Sequence, residues 1–303
     1  MRVVITAPER RMAAVAVPPG LVYQSYSSSQ GAEEAVGQSS ERGRTLVKNG
    51  MKVRLAEGGV ALVVTTQLAR DGDVARILGV AGYDVMVIDR EHNQIPEDAV
   101  NALVMAALEC GITPLIRLPD SAHGPIGQAL SAGALGVVIP RVESVEIARA
   151  IVHAATFPPA GRRPVPPVFP HFRRRPISQG DATAALTAET SVVGIIETRR
   201  AMEAIDEIAA VPGLDVLFLG ASDLMADLGR PGRKDDPALW ESAAAVVAAC
   251  RRHGKTPGIG GLPDDSQLQR AQAMGMRYLS AGHDAALLQS AASTRVRLLR
   301  GGE

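Results

Sequence analysis

From about residue 49 onward the chain alternates between two kinds of apolar pattern. Short, nearly unbroken runs of aliphatic and β-branched residues recur at VALVVT (60–65), DVMVID (84–89), TPLIRL (113–118), GVVIP (136–140), SVVGIIET (191–198), DVLFLG (215–220), KTPGI (255–259) and RYLSAG (277–282). Such runs are what strands show when both faces of a parallel sheet are covered. The stretches between them have helical spacing. Val100, Leu103, Val104, Ala107 and Leu108 fall on one helix face, as do Leu239, Ala243, Val246, Val247 and Cys250. A glycine stands at the helix-to-strand joints, for example Gly82, Gly111 and Gly133, where a left-handed residue commonly ends a helix. Eight strands alternating with helices over roughly 250 residues predict an α/β protein built as a single (β/α)8 barrel. An open doubly wound sheet is the second choice, and its Gly-rich phosphate turn is missing.

Two segments break the rhythm. Residues 1–45 include a small, polar, aperiodic stretch, Ser25 to Ser40, and are expected to be a mobile extension ahead of a barrel domain at 46–303. Their start reads poorly as a signal peptide, because charges interrupt the first apolar run and Pro18-Pro19-Gly20 cuts the second. The interval Pro158–Glu189, rich in Pro and Arg, is expected to project as a lid or intersubunit loop. Its arginines (Arg162, Arg163, Arg173, Arg174, Arg175) suggest a second anionic group in the substrate, set against the plainer reading of a solvated charged loop.

Composition narrows the function. In 303 residues, 32 Lys+Arg balance 32 Asp+Glu, which removes the electrostatic case for nucleic acid or an anionic membrane as partner. No apolar run approaches the ~20 residues of a membrane span. The two cysteines, Cys110 and Cys250, sit in helix-like stretches; they exclude a disulfide framework and a Cys-type zinc site, and fit a reducing cytoplasm. None of the four lysines (Lys48, Lys52, Lys234, Lys255) ends a strand, which disfavours Schiff-base chemistry.

In such a barrel the chemistry sits at the C-terminal ends of strands. Those ends carry Asp89, Glu91 and His92, then Arg117, Pro140-Arg141, Glu197, and Gly220 to Asp223. Glu197 and Asp223 can each merely favour a helix start. Two carboxylates facing one cavity nevertheless repel unless a cation joins them, and hard oxygen donors without Cys or His spacing suit Mg²⁺ or Mn²⁺. Arg117 reads as a buried ion pair with Asp89 or Glu91, as a fixed cation for an anionic oxygen, or as both. His92 alone among six histidines adjoins a strand-end acidic pair, which suits a general acid/base. GASDL puts Gly220, Ala221, Ser222 and Asp223 at a helix start whose backbone N–H groups suit a carboxylate. HGKT (253–256) and GIGG (258–261) mimic nucleotide loops but lack the required glycines.

The segments YDVMVIDREH (83–92), TPLIRLP (113–119), GALGVVIPRVES (133–144), FPPAGRR (157–163), GIIETRRAME (194–203) and DVLFLGASDLMADLG (215–229), in that order, resemble the HpcH/HpaI family of metal-dependent pyruvate aldolases. The resemblance covers roughly residues 49–300. It implies a (β/α)8 barrel that cleaves a 4-hydroxy-2-oxo acid to pyruvate and an aldehyde. It assigns a divalent cation (Mg²⁺ or Mn²⁺, with Co²⁺ a further candidate) to Glu197 and Asp223, the keto or enolate oxygen to Arg117, and acid/base work to His92 with Asp89 beside it. It gives the substrate carboxylate to the backbone around Ala221, Ser222 and Asp223. It also implies a homo-oligomer, hexamer or trimer, assembled through the last helix, Asp284–Arg300. Departures include Ser131 where the family generally has an Asp partner for the histidine, Ile195 for a common Gln, and Pro164 for Gly. Ser131 opens two alternatives: oxaloacetate decarboxylation, or macrophomate-synthase-like addition of the enolate to another acceptor. A non-catalytic barrel used for binding or assembly is the third reading.

Overall fold

The computed structural model describes residues 47–173 and 175–301, so the extension expected at 1–45 and Arg174 lie outside the described residues. A strand forms at each of the eight apolar runs: β1 Ala61–Thr66, β2 Val85–Asp89, β3 Thr113–Arg117, β4 Gly136–Ile139, β5 Ser191–Ile196, β6 Val216–Gly220, β7 Thr256–Gly260 and β8 Tyr278–His283. All pair in parallel, in chain order, and β8 returns to β1 to close the expected (β/α)8 barrel. The predicted helix faces fall in Glu97–Cys110 and Pro237–His253. The helix-ending glycines take the left-handed backbone, with φ 96° at Gly82 and 113° at Gly133. Both cysteines are free, and among the described residues no helix is long and apolar enough to cross a membrane.

Strand alternation sorts the side chains into two layers. Val85, Val87, Leu115, Val138, Val193 and Ile195 fill the barrel, while Met86, Ile88, Ile116 and Ile196 pack outward against helices. Helix Gly50–Ala56 closes the floor: wholly buried Met51 enters the inner layer, and Asn49 accepts the Lys52 N–H at 3.2 Å and donates to the Glu189 carbonyl at 2.7 Å. Above this filled floor, a cavity opens at the strands' C-terminal ends.

The long interval is not a lid. It follows helix Val145–Ala155 and so emerges at the opposite, N-terminal end of the barrel, where Phe157, Phe169 and Phe172 build a satellite core with Leu135 and Leu186. Two of its arginines, Arg163 and Arg173, are spent on structure. Arg163 is wholly buried, lies 4.2 Å over the Phe157 ring, and donates to Thr190 Oγ1 at 3.1 Å and the Leu130 carbonyl at 3.0 Å. Arg173 donates to the Leu108 carbonyl at 3.2 Å. None of these residues lines the barrel mouth.

Candidate active site

Alternation also dictates what the mouth contains. Two residues beyond inward-facing Val87, Leu115, Ile195 and Phe218 stand Asp89, Arg117, Glu197 and Gly220, so these four sit at the barrel's upper inner rim. A cavity of about 460 Å³ opens there, lined among others by His92, Arg117, Glu197, Ala221, Ser222 and Asp223. The sequence-predicted residues therefore share one site, with Asp89 behind its wall.

Asp89 and Arg117 are register partners on β2 and β3. Asp89 is fully buried and grips the guanidinium with both oxygens, at 2.9 Å to Nε and 2.8 Å to Nη2. The Asn93 amide donates to the same carboxylate at 2.6 Å, and the Glu91 N–H at 3.1 Å. Burial alone would raise the Asp89 pKa; Arg117, Asn93 and the Glu91 N–H outweigh it and hold the carboxyl below its ordinary range. Asp89, expected among the catalytic residues, does not line the cavity and is instead the group that holds Arg117 in place. Arg117 spends a third donor on Glu91 at 3.2 Å, which leaves guanidinium N–H groups for the cavity it lines.

The carboxylate beside His92 is also Glu91, 3.5 Å from Nε2. Ser131, expected at the place of a histidine partner, ends helix His123–Ser131 just before β4. Within one chain it therefore lies at the opposite end of the barrel from His92.

Glu197 is 6% exposed at the end of β5, and Thr198 after it caps the next helix by accepting the Ala201 N–H at 3.1 Å. Its Oε1 accepts the main-chain N–H of Arg141 at 2.8 Å. Its Oε2 fits against Gly220, where an added Cβ would come within 2.8 Å. Burial pushes the Glu197 carboxyl up to about 7; the Arg141 N–H opposes this, and the charges of Asp223 and Glu91 add to it. Burial likewise lifts Glu91 above its usual range, opposed by Arg117 and His92 and reinforced by Asp89 and Asp223. A buried carboxylate facing further acidic charge is the environment a cation relieves. Among the described residues no three His, Cys, Asp or Glu side chains form a complete metal cage. A two-carboxylate set fits a hard divalent ion that retains water or substrate oxygens.

Comparison with known proteins decides the family. The family model for HpcH/HpaI aldolase/citrate lyase matches residues 68–290. The chain belongs to this family. Its relatives include a 4-hydroxy-4-methyl-2-oxoglutarate aldolase of Chaetomium globosum, 33% identical over 80% of this chain and 92% of that protein. A hydroxypyruvate/pyruvate aldolase of Roseovarius nubinhibens is 34% identical over 80% and 94%. The crystal structure of an HpcH/HpaI aldolase from Desulfitobacterium hafniense superposes with a TM-score of 0.77 at 30% identity, covering 82% of this chain and 96% of that one.

For an HpcH/HpaI member, the geometry adds groups that sequence reading passed over. Arg141 was visible at a strand end, but only its left-handed backbone explains its contact with Glu197. Gln67 and His283 line the cavity from β1 and β8, and Asp284 ties them together by accepting the N–H groups of Gln67, Leu68 and Ala69, each at 2.9 Å. No local motif announces that contact.

Proposed function

We propose that the protein is a divalent-metal-dependent aldolase that cleaves a 4-hydroxy-2-oxo acid to pyruvate and an aldehyde. The observation that carries this reading is the shared cavity of Glu197, Asp223 and Arg117, with Arg117 fixed from behind by Asp89. Glu197 and Asp223 would hold the cation, Mg²⁺ or Mn²⁺ by the hardness of the donors. When bound, that ion supplies Lewis-acid polarisation of the substrate's keto oxygen. Arg117 turns its remaining N–H groups toward the same oxygen and shares the negative charge that develops as the C–C bond breaks. Gly220, Ala221, Ser222 and Asp223 border the space for the substrate carboxylate. His92, beside Glu91, takes the proton from the 4-hydroxyl through a water and returns it as the enolate collapses to pyruvate. The decarboxylase and macrophomate-synthase-like alternatives rest on Ser131, which within one chain is not a neighbour of His92.

Exposed apolar surface supports the homo-oligomer expected through the last helix. Helix Asp284–Leu299 buries none of its residues, and Leu298 and Leu299 are 70% and 71% exposed. The outside of β1 next to it shows Leu62, and helix Asp73–Ala81 shows Ile77 and Val80, the last 92% exposed. These two bare apolar faces suit a homo-oligomer in which a second copy's last helix covers the first copy's barrel.

The deciding experiment follows the methyl protons of pyruvate in D₂O by NMR, with each divalent cation, with chelator, and after Glu197→Gln. Metal-dependent exchange that Glu197→Gln abolishes is expected. No exchange with any cation would favour the non-catalytic barrel.

A further inference from the structure

The loop 229–236 is strapped around Lys234. Arg230 pairs with Asp236 at 2.7 Å, Gln267 Nε2 donates to Asp235 Oδ1 at 2.8 Å, and the Trp240 indole N–H donates to the Lys234 carbonyl at 3.1 Å. Trp240 is pinned in turn beneath the Arg270 guanidinium, 3.9 Å from its ring centre. So anchored, Lys234 directs its ammonium to Ser222, with Nζ 2.8 Å from Oγ, and among the described residues it makes no ion pair.

An ammonium only donates, so the Ser222 hydroxyl is the acceptor and its own proton is free to point elsewhere. Ser222 lines the cavity. Facing it, Gly261 (φ 77°) keeps the wall clear: a Cβ there would stand 2.8 Å from Ser222 Oγ and 3.7 Å from Lys234 Nζ. A hydroxyl polarised by a cation and open to the cavity is a donor waiting for an anionic oxygen. Arg117, across the mouth, commits three donors to Asp89 and Glu91 and has its remaining N–H groups assigned to the keto oxygen.

We infer that Lys234 and Ser222 form a donor pair on the β6–β7 side that reads the carboxylate of the 2-oxo acid, Lys234 being a positioning residue that acts through Ser222. This rests on the function proposed above. The competing role for Lys234 is to tie its loop to the barrel and nothing more.

The test compares wild type, Lys234→Met, Lys234→Arg, Ser222→Ala and the Met/Ala double variant as full chains with Mg²⁺ or Mn²⁺. Pyruvate Kd is read by titration calorimetry, KM and kcat by methyl exchange in D₂O, and folding by thermal melts. Lys234→Met should raise Kd and KM about tenfold, the worth of one charge-assisted hydrogen bond, with an unchanged melt. Lys234→Arg, which keeps the charge, should stay within about threefold of wild type. Ser222→Ala should match Lys234→Met, and the double variant should bind no worse than either single one, as for residues acting in series. Equal pyruvate affinity in wild type and Lys234→Met, or additive losses in the double variant, would overturn the assignment. Pyruvate binding without exchange would strike the aldolase reading alone, because the Kd comparison still judges Lys234. A wild type that binds no pyruvate would overturn both.

Discussion

The main-chain N–H of Arg141 lies 2.8 Å from Oε1 of Glu197, delivered by a left-handed backbone with φ 52°. A side chain in that conformation costs about 1–2 kcal/mol, so the corner after β4 holds strain where it positions a buried carboxylate. Arg141→Gly removes the strain and keeps the N–H in place. Arg141→Val, being β-branched, should abandon the conformation and draw the N–H away. In Mn²⁺ titrations followed by electron paramagnetic resonance, affinity should hold in Arg141→Gly and fall by about tenfold or more in Arg141→Val.

The buried charge of Asp89 is satisfied by Arg117 and the Asn93 amide. Asp89→Asn keeps the shape but loosens Arg117, and should cost about 3 kcal/mol of stability, as breaking a buried pair does. Exchange at the pyruvate methyl should slow about 100-fold or more, since Arg117 loses its fixed direction. Arg117→Lys should not rescue function, because a single ammonium cannot meet both Asp89 oxygens as the guanidinium fork does. The Asp89 pKa is held down in the folded state, so its stabilisation is present above about pH 4 and is lost as pH falls below it. Asp89→Asn should therefore flatten the acid limb of a urea-unfolding series.

His171 gives a second pH dependence of the same sign, in a higher window and away from the barrel mouth. Burial and the charge of Arg163 push its imidazole down to about 4, and its Nε2 lies 3.2 Å from the Ala134 carbonyl. Between that value and the ordinary ~6.5 the unfolded chain binds the extra proton, so stability rises with pH across the window. About 2 kcal/mol should be lost between pH 7 and pH 5 from this group. Urea midpoints at the two pH values should differ clearly more in wild type than in His171→Phe.

The bare C-terminal helix carries its own test. Leu288→Asp with Leu298→Asp places charge on faces that are 66% and 70% exposed in one chain, so a lone subunit should tolerate them. An assembly that buries those faces should come apart. Light scattering behind size-exclusion chromatography should therefore read a multiple of the chain mass for wild type and a smaller species for the double variant.

Strands such as β2, VMVID, were legible because a strand buried on both faces has few polar positions to blur it. Asp89, Arg117 and Glu197 were legible because each is polar at the end of such a run, where stability alone would place another aliphatic residue. The direction of the Pro158–Glu189 interval was not. Its length and charge suggest a lid, but what decides its location is that it follows a helix and so returns to the N-terminal end. Ser131 sits at a helix end, and its distance from His92 within one chain leaves no mark in the local sequence. The contacts of Lys234 and Arg141 depend on a strapped loop and one unusual dihedral, and neither leaves a periodic trace.

Asp284 begins the outward helix while its carboxylate holds the three N–H groups that follow β1. One side chain thus serves as root for the protruding arm and as rivet for the chamber wall at Gln67. Pulling on the arm loads the wall. Cutting the chain just before Asp284 would remove more than a surface appendage, since the seam between the first and last strands would lose its fastening at the level where substrate enters.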